Sequence, residues 1–335
     1  STQQPTLFPY TTLFRSFQGA VDLLLYLSGS LVVALVAIIR LPVFTSYFSP
    51  EEFGFFSLVS ITYTYLSVAL YTWISSCLYR FYNEYREARN IAALYVNALF
   101  LFGISSAVLL GITVIWYVLS SGAGVQSLLL PALAAMVSAQ ALAMALVVYK
   151  LKGRARQYNL LQAAQALTAF LLVLPMLTGS HANIRVLFTA QAGVNLLLLA
   201  WVVGTHRKAL LQISAGMISG PLLRKLIRYG AVGLASALGV YVLIYSDRYI
   251  ISLYHDISRV GIYNQVYQIG QVSVYFLVTV YFNAITPGFN RLLTGYTGER
   301  EKTLSVYVQD FLVLAVPVTF YVALFARDVA AFLLG

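Results

Sequence analysis

The sequence predicts an all-α, polytopic membrane protein, and three observations carry that prediction. The first is composition. Of the residues 60% are hydrophobic and only 10% charged, with mean hydropathy +0.80, whereas soluble domains carry about a quarter charged residues. The second is span length: apolar stretches of roughly 20 residues, enough to cross a bilayer as a helix, recur along the whole chain. The third is regularity. Barrel strands would be roughly 10 residues long and alternate in polarity, and these runs do neither.

Nine spans are predicted, over residues 21–43, 54–77, 94–119, 126–149, 158–178, 184–203, 229–254, 261–286 and 308–327. The formal net charge of +10 would suggest nucleic-acid binding in a soluble chain. Here its distribution explains it. The connections after spans two, four, six and eight hold most of the basic residues: Arg80, Arg86 and Arg89, then Lys150, Lys152, Arg154 and Arg156, then Arg207 to Arg228, then Arg291 to Lys302. The opposite side carries only Arg40, Arg185, Arg259 and Arg327. By the positive-inside rule the N-terminus is cytoplasmic, and no nucleic-acid partner is implied.

Organisation follows from a repeat. Asp247-Arg248 lies inside the apolar run Tyr229–Tyr254, and Arg40 lies at the end of the first span. Arg248 follows Arg40 by 208 positions and Gly261 follows Gly54 by 207. A unit of that length holds six spans, an even number, so the two lobes are expected to be parallel repeats. This gives residues 17–203 as an N-terminal six-helix lobe, 204–228 as a cytoplasmic connection, and 229–335 as the first three helices of a truncated second lobe. Within the connection, LLRKLIRYG reads as a basic amphipathic helix at the membrane surface. Residues 1–16 fit neither a signal peptide nor a span. PYTTLFRS resembles translated sequencing-adapter sequence, so this stretch is expected to be non-native or disordered.

No catalytic constellation is visible. His181, His206 and His255 sit near span ends without ligand spacing, the lone Cys77 makes no disulfide or thiolate site, and no nucleotide-binding motif occurs. No metal or cofactor is expected. What the spans do carry is polar stripes. Asn264, Gln268, Gln271 and Tyr275 share one face of span eight; Tyr158, Gln162 and Gln165 do so in span five, and Gln191 with Asn195 in span six. Such stripes either hydrogen-bond neighbouring helices or line a hydrated cavity.

Ionisable residues at membrane depth are costly and usually serve a purpose. Arg248 falls roughly 9 Å and Arg40 roughly 12 Å outward from the centres of their spans at 1.5 Å per residue. Arg40 is free to snorkel, helped by an expected break at Pro42. For Arg248 the local partner is Asp247, yet adjacent helical side chains diverge by about 100°. A partner on another helix, or a ligand anion, is therefore expected to satisfy Arg248 better.

FSPEEFGFFSL (48–58), CLYRFYNEYRE (77–87), YSDRYIISLYHDISRVGIYNQVYQIGQ (245–271) and NAITPGFNRLL (283–293) carry a family resemblance. With the span pattern over about 21–335, the chain resembles the polysaccharide transporter, or oligosaccharide flippase, branch of the multidrug/oligosaccharidyl-lipid/polysaccharide exporter superfamily. O-antigen and exopolysaccharide repeat-unit flippases are the closest kind. The resemblance implies twelve or more helices in two lobes around a central cavity. It also implies a bacterial or archaeal cytoplasmic membrane, and a cargo of polyprenyl-diphosphate-linked oligosaccharide moved from the inner to the outer leaflet for lipopolysaccharide or exopolysaccharide synthesis. Partners would be membrane lipids and the glycosyltransferases and glycan polymerase of the same pathway.

On that basis Arg248 and Arg40 are candidates for the diphosphate, since arginine offers a planar fork to phosphate, and Asp247 would tune Arg248 or couple an ion. Asn264, Gln268, Gln271 and Tyr275 are candidates for the sugars, with Tyr63, Tyr65, Tyr71, Tyr263 and Tyr267 offering aromatic faces. A cation-coupled multidrug exporter of the same superfamily is the alternative. A membrane glycosyltransferase or polymerase is a further one, although the short loops leave little room for a catalytic domain.

Overall fold

The computed structural model describes residues 17–120, 122–178, 183–210, 214–271 and 300–334, with residues 278 and 281. It is helical throughout, with no strand among the described residues. Seven described helices are long and apolar enough to cross a membrane: Pro50–Glu87, Ile91–Leu119, Gly124–Leu151, Arg156–Leu177, Arg185–Arg207, Gly220–Tyr254 and Tyr307–Leu324. Large apolar side chains such as Val118, Val232 and Leu243 stand 74–83% exposed. That surface suits a bilayer, where only elements that satisfy their own backbone can stand.

The first span is helix α1 (Phe17–Tyr47). It runs through Pro42 without the expected break, because proline removes one backbone donor while the turns on either side persist. Ser49 then starts α2 (Pro50–Ser67): its hydroxyl accepts from the Glu52 amide and Glu52 accepts from the Ser49 amide, with Pro50 in the first turn. A π-type turn at Val68–Thr72 leads into α3 (Trp73–Glu87). That turn is held by α4 (Ile91–Leu119). Ser105 donates to the Leu70 carbonyl at 2.8 Å, and the Tyr71 and Ser106 hydroxyls lie 3.0 Å apart. The span is therefore longer than the 54–77 expected.

Helices α5 (Ala123–Leu151) and α6 (Ala155–Leu177) are joined by a tight turn in which Gly153 adopts φ +68°, a conformation glycine takes without cost. α7 (Arg185–Leu210) packs closely along α5. Small residues permit this approach: Ala132 and Ala135 on α5 and Ala190, Ala192 and Val194 on α7 are all buried. At its centre Asn195, wholly buried, donates to Ser138 at 3.2 Å and accepts from Gln191 at 3.0 Å. The span-six polar pair thus serves helix packing.

Helix α8 (Gly220–Tyr254) is continuous, which corrects the separate amphipathic segment expected before residue 229. Its first turns lie on protein. Leu222 and Leu226 are buried in an apolar cluster with Ile74, Cys77, Leu78 and Phe81 of α3 and Leu94 and Ala98 of α4, so burial there outweighs the membrane surface. A Cβ at Gly230 would strike the Trp73 ring, which places α8 hard against α3. α9 (257–271), α10 (Arg300–Leu324) and α11 (Ala326–Leu334) complete the described chain.

Two compact units result. One holds Thr45–Arg154 and Thr168–Asn264; the other holds the rest of the described residues. The first contains the apolar cluster and the α5–α7 pair. The second contains α1 up to Phe44, the start of α6, and the residues after Asn264, where Tyr281 donates to the Tyr307 carbonyl at 2.5 Å.

Candidate functional site

In the first unit, α8 presents Asp247 and Arg248 to the start of α9. Arg248 is 1% exposed. Its Nη1 donates to Asp247 Oδ1 at 2.7 Å and to the Ile244 carbonyl at 2.8 Å. Its guanidinium lies 5.3 Å from the ring centres of both Tyr245 and Tyr263, within cation–π range. Tyr263 closes the cluster by donating to Asp247 Oδ2 at 2.5 Å. The local ion pair disfavoured from side-chain directions therefore forms. Arginine is long enough to turn back toward the helix N-terminus, and the 100° between Cβ vectors does not limit it.

The chemical consequence is charge cancellation. Asp247, with its side chain 35% exposed, neutralises Arg248 and receives the Tyr263 proton bond on its other oxygen. A buried charge with a fitted partner is a structural brace first, because removing either member leaves the other uncompensated.

In the second unit, Arg40 stands on α1 in a different setting. It is exposed, and its Nη2 donates to Gln268 Oε1 on α9 at 3.3 Å. Among the described residues no carboxylate lies within ion-pair distance of it. Gln268, the residue expected to meet sugar, is the acceptor of that bond. Asn264 is 8% exposed and Gln271 half-buried, while Tyr275 lies outside the described residues.

Other tyrosines divide. Tyr63, 1% exposed, donates to the Leu129 carbonyl at 3.0 Å and pairs with Thr113 at 2.9 Å; Tyr71 is likewise buried. Both hold helices together. Tyr65 is half-buried, donates to the Tyr241 carbonyl at 3.1 Å, and its ring packs against Tyr245 and Tyr249.

Sequence reasoning missed Asn97. Wholly buried in α4, it donates to the Met217 carbonyl at 3.0 Å and accepts from the Ser219 amide at 3.0 Å, fixing the turn that launches α8. The available signal was a lone amide near the start of an otherwise apolar run. Lys152, beyond the end of α5, has its ammonium pKa lowered by burial and then by neighbouring Arg154, as befits a crowded basic turn.

Seven apolar helices among the described residues, packed through small side chains, define a helical membrane protein fold. The fold is similar to that of a solved multidrug resistance MATE family transporter of the MOP superfamily in its outward-facing conformation. The TM-score is 0.55 at 15% identity, over 98% of this chain and 80% of the other. The chain belongs to the family described as "Polysaccharide biosynthesis protein", which matches residues 21–293. A search of curated proteins found no match by sequence. The protein is a multi-pass membrane protein of that family, with a fold similar to the transporter's.

Proposed function

We propose that this protein flips polyprenyl-diphosphate-linked oligosaccharide from the inner to the outer leaflet by alternating access, for surface polysaccharide biosynthesis. The observation that carries the proposal is a transporter fold in a polysaccharide biosynthesis family. A glycan cannot cross a bilayer unaided, and its diphosphate needs a cation inside the membrane.

Arg40 is the better candidate for that role. It has no described carboxylate to cancel it, and its described hydrogen-bond partner, Gln268, is neutral. Arg248 is already neutralised by Asp247 and serves chiefly as a brace. Tyr65, half-buried, and Gln271 remain open to the sugars. The charge distribution supports a cytoplasmic N-terminus.

The test is complementation of a flippase-deficient strain by the intact gene. Restored surface glycan supports the proposal; drug efflux with no glycan phenotype would replace it with a multidrug exporter. That alternative is less well supplied here, since its coupling carboxylate would be Asp247, which is engaged by Arg248 and Tyr263.

A further inference from the structure

Two glycines that mark the internal repeat meet in space. A Cβ at Gly54 would fall on the Ile257 carbonyl oxygen, and a Cβ at Gly261 on the Pro50 carbonyl oxygen. These are one contact viewed from either side. Pro50 and Ile257 are 207 positions apart, as are Gly54 and Gly261, and each of the former is the first residue of its helix. α2 and α9 thus cross by a local two-fold relation, each laying its glycine on the carbonyl of the other's first residue. Only glycine allows backbones this close.

The same seam continues inward between α2 and α8, and hydrogen-bonding groups run along it. The Thr62 and Tyr249 hydroxyls are 2.6 Å apart, and Tyr65 donates to the Tyr241 carbonyl at 3.1 Å. One turn on from Gly54, Ser57 is 1% exposed with no described partner for its hydroxyl. Its counterpart 207 positions later is the polar Asn264, 8% exposed. The other end of α8 is unlike this: Leu78, Leu94 and Leu226 meet there at 0% exposure. Groups that hydrogen-bond across a seam recover much of that energy from water when it parts. Buried apolar surface has no such compensation.

We propose that the α2–α9 crossing is a releasable clasp. It is closed in this structure and parts about the apolar cluster to open the path on the side that the charge pattern places outside. The Thr62–Tyr249 bond between α2 and α8 is its latch. The clasp rests on the transporter assignment above, and on the orientation given there.

The experiment is thiol labelling of Ser57→Cys in the intact protein on whole cells, with Cys77→Ser and a membrane-impermeant maleimide. A methyl at position 261 wedges the crossing, so Gly261→Ala should raise the labelling rate roughly fivefold by shifting the population toward the open state. Gly103→Ala, where a Cβ meets nothing within 4 Å, should leave it unchanged. Equal rates in Gly261→Ala and its parent would overturn the clasp. If Gly261→Ala fails to accumulate, Tyr249→Phe decides: the ring stays, the latch goes, and labelling should rise about twofold, while an unchanged rate would overturn the proposal. Faster labelling without a glycan phenotype keeps the clasp and removes the substrate assignment. Unchanged labelling with a normal glycan phenotype does the reverse.

Discussion

Arg40 and Arg248 occupy corresponding places in the sequence repeat, yet they live in opposite environments. Arg248 is sealed among Asp247, Tyr245 and Tyr263 at 1% exposure, while Arg40 is exposed with the neutral Gln268 as its hydrogen-bond partner. The difference traces to the neighbours. The chain preceding Arg248 by one residue offers an aspartate where that preceding Arg40 offers Ile39, and the position 207 before Tyr263 is Phe56, which has no hydroxyl. One half of the repeat carries the acid and the phenol that convert an arginine into a brace. The other has kept its charge available.

The comparison can be broken at several points. The largest effect is expected from Asp247→Ala. It strands a buried guanidinium and should destabilise the protein by about 3 kcal/mol, the low end for a broken buried pair, since the Asp247 side chain is itself 35% exposed. Thermal unfolding in detergent measures it, and the double variant Asp247→Ala with Arg248→Met should recover much of the loss. Arg40→Gln should do the opposite. Its stability should change by no more than about 0.5 kcal/mol, as at other exposed sites, while surface glycan falls at least roughly tenfold, the equivalent of 1.4 kcal/mol of lost anion binding.

Asn195→Ala should cost about 0.6 to 1.7 kcal/mol, the span measured for polar contacts between membrane helices, with glycan export retained; unfolding together with glycan staining checks it. The smallest effect is expected at Lys225–Glu84. The pair is exposed at 41% and 50%, so Glu84→Gln should shift stability by less than about 1 kcal/mol.

Much of the architecture was legible in the sequence because hydropathy in a membrane protein reports the solvent directly. Six of the nine expected spans fall on long apolar helices of the described chain, and the last, 308–327, overlaps a seventh at Tyr307–Leu324. Helix ends were less legible. Leu222 and Leu226 look like a membrane-surface stripe, but whether such a stripe meets lipid or protein depends on what packs beside it. Pro42 and the π-type turn at Val68–Thr72 show the same limit, since neighbouring hydroxyls and turns decide whether a helix persists.

At the site, residue types were readable and pairings were not. Gln268 could be placed on a polar face, but that it faces Arg40, 228 positions away, is a tertiary fact. The glycine repeat was visible as a spacing, while the contact between Gly54 and Gly261 needed the fold. Asp247 and Arg248 were adjacent on the page, and the error there lay in arguing from Cβ directions without allowing for the reach of arginine.

The most direct test of the central claim is a leaflet assay on the intact protein reconstituted in vesicles with polyprenyl-diphosphate-linked oligosaccharide, comparing the parent with Arg40→Gln. The expected result is movement of the glycan to the opposite leaflet with its chemistry unchanged, and movement reduced at least roughly tenfold in the variant. A parent that moves no lipid-linked glycan, or an Arg40→Gln variant that moves it at the parental rate, would contradict the account.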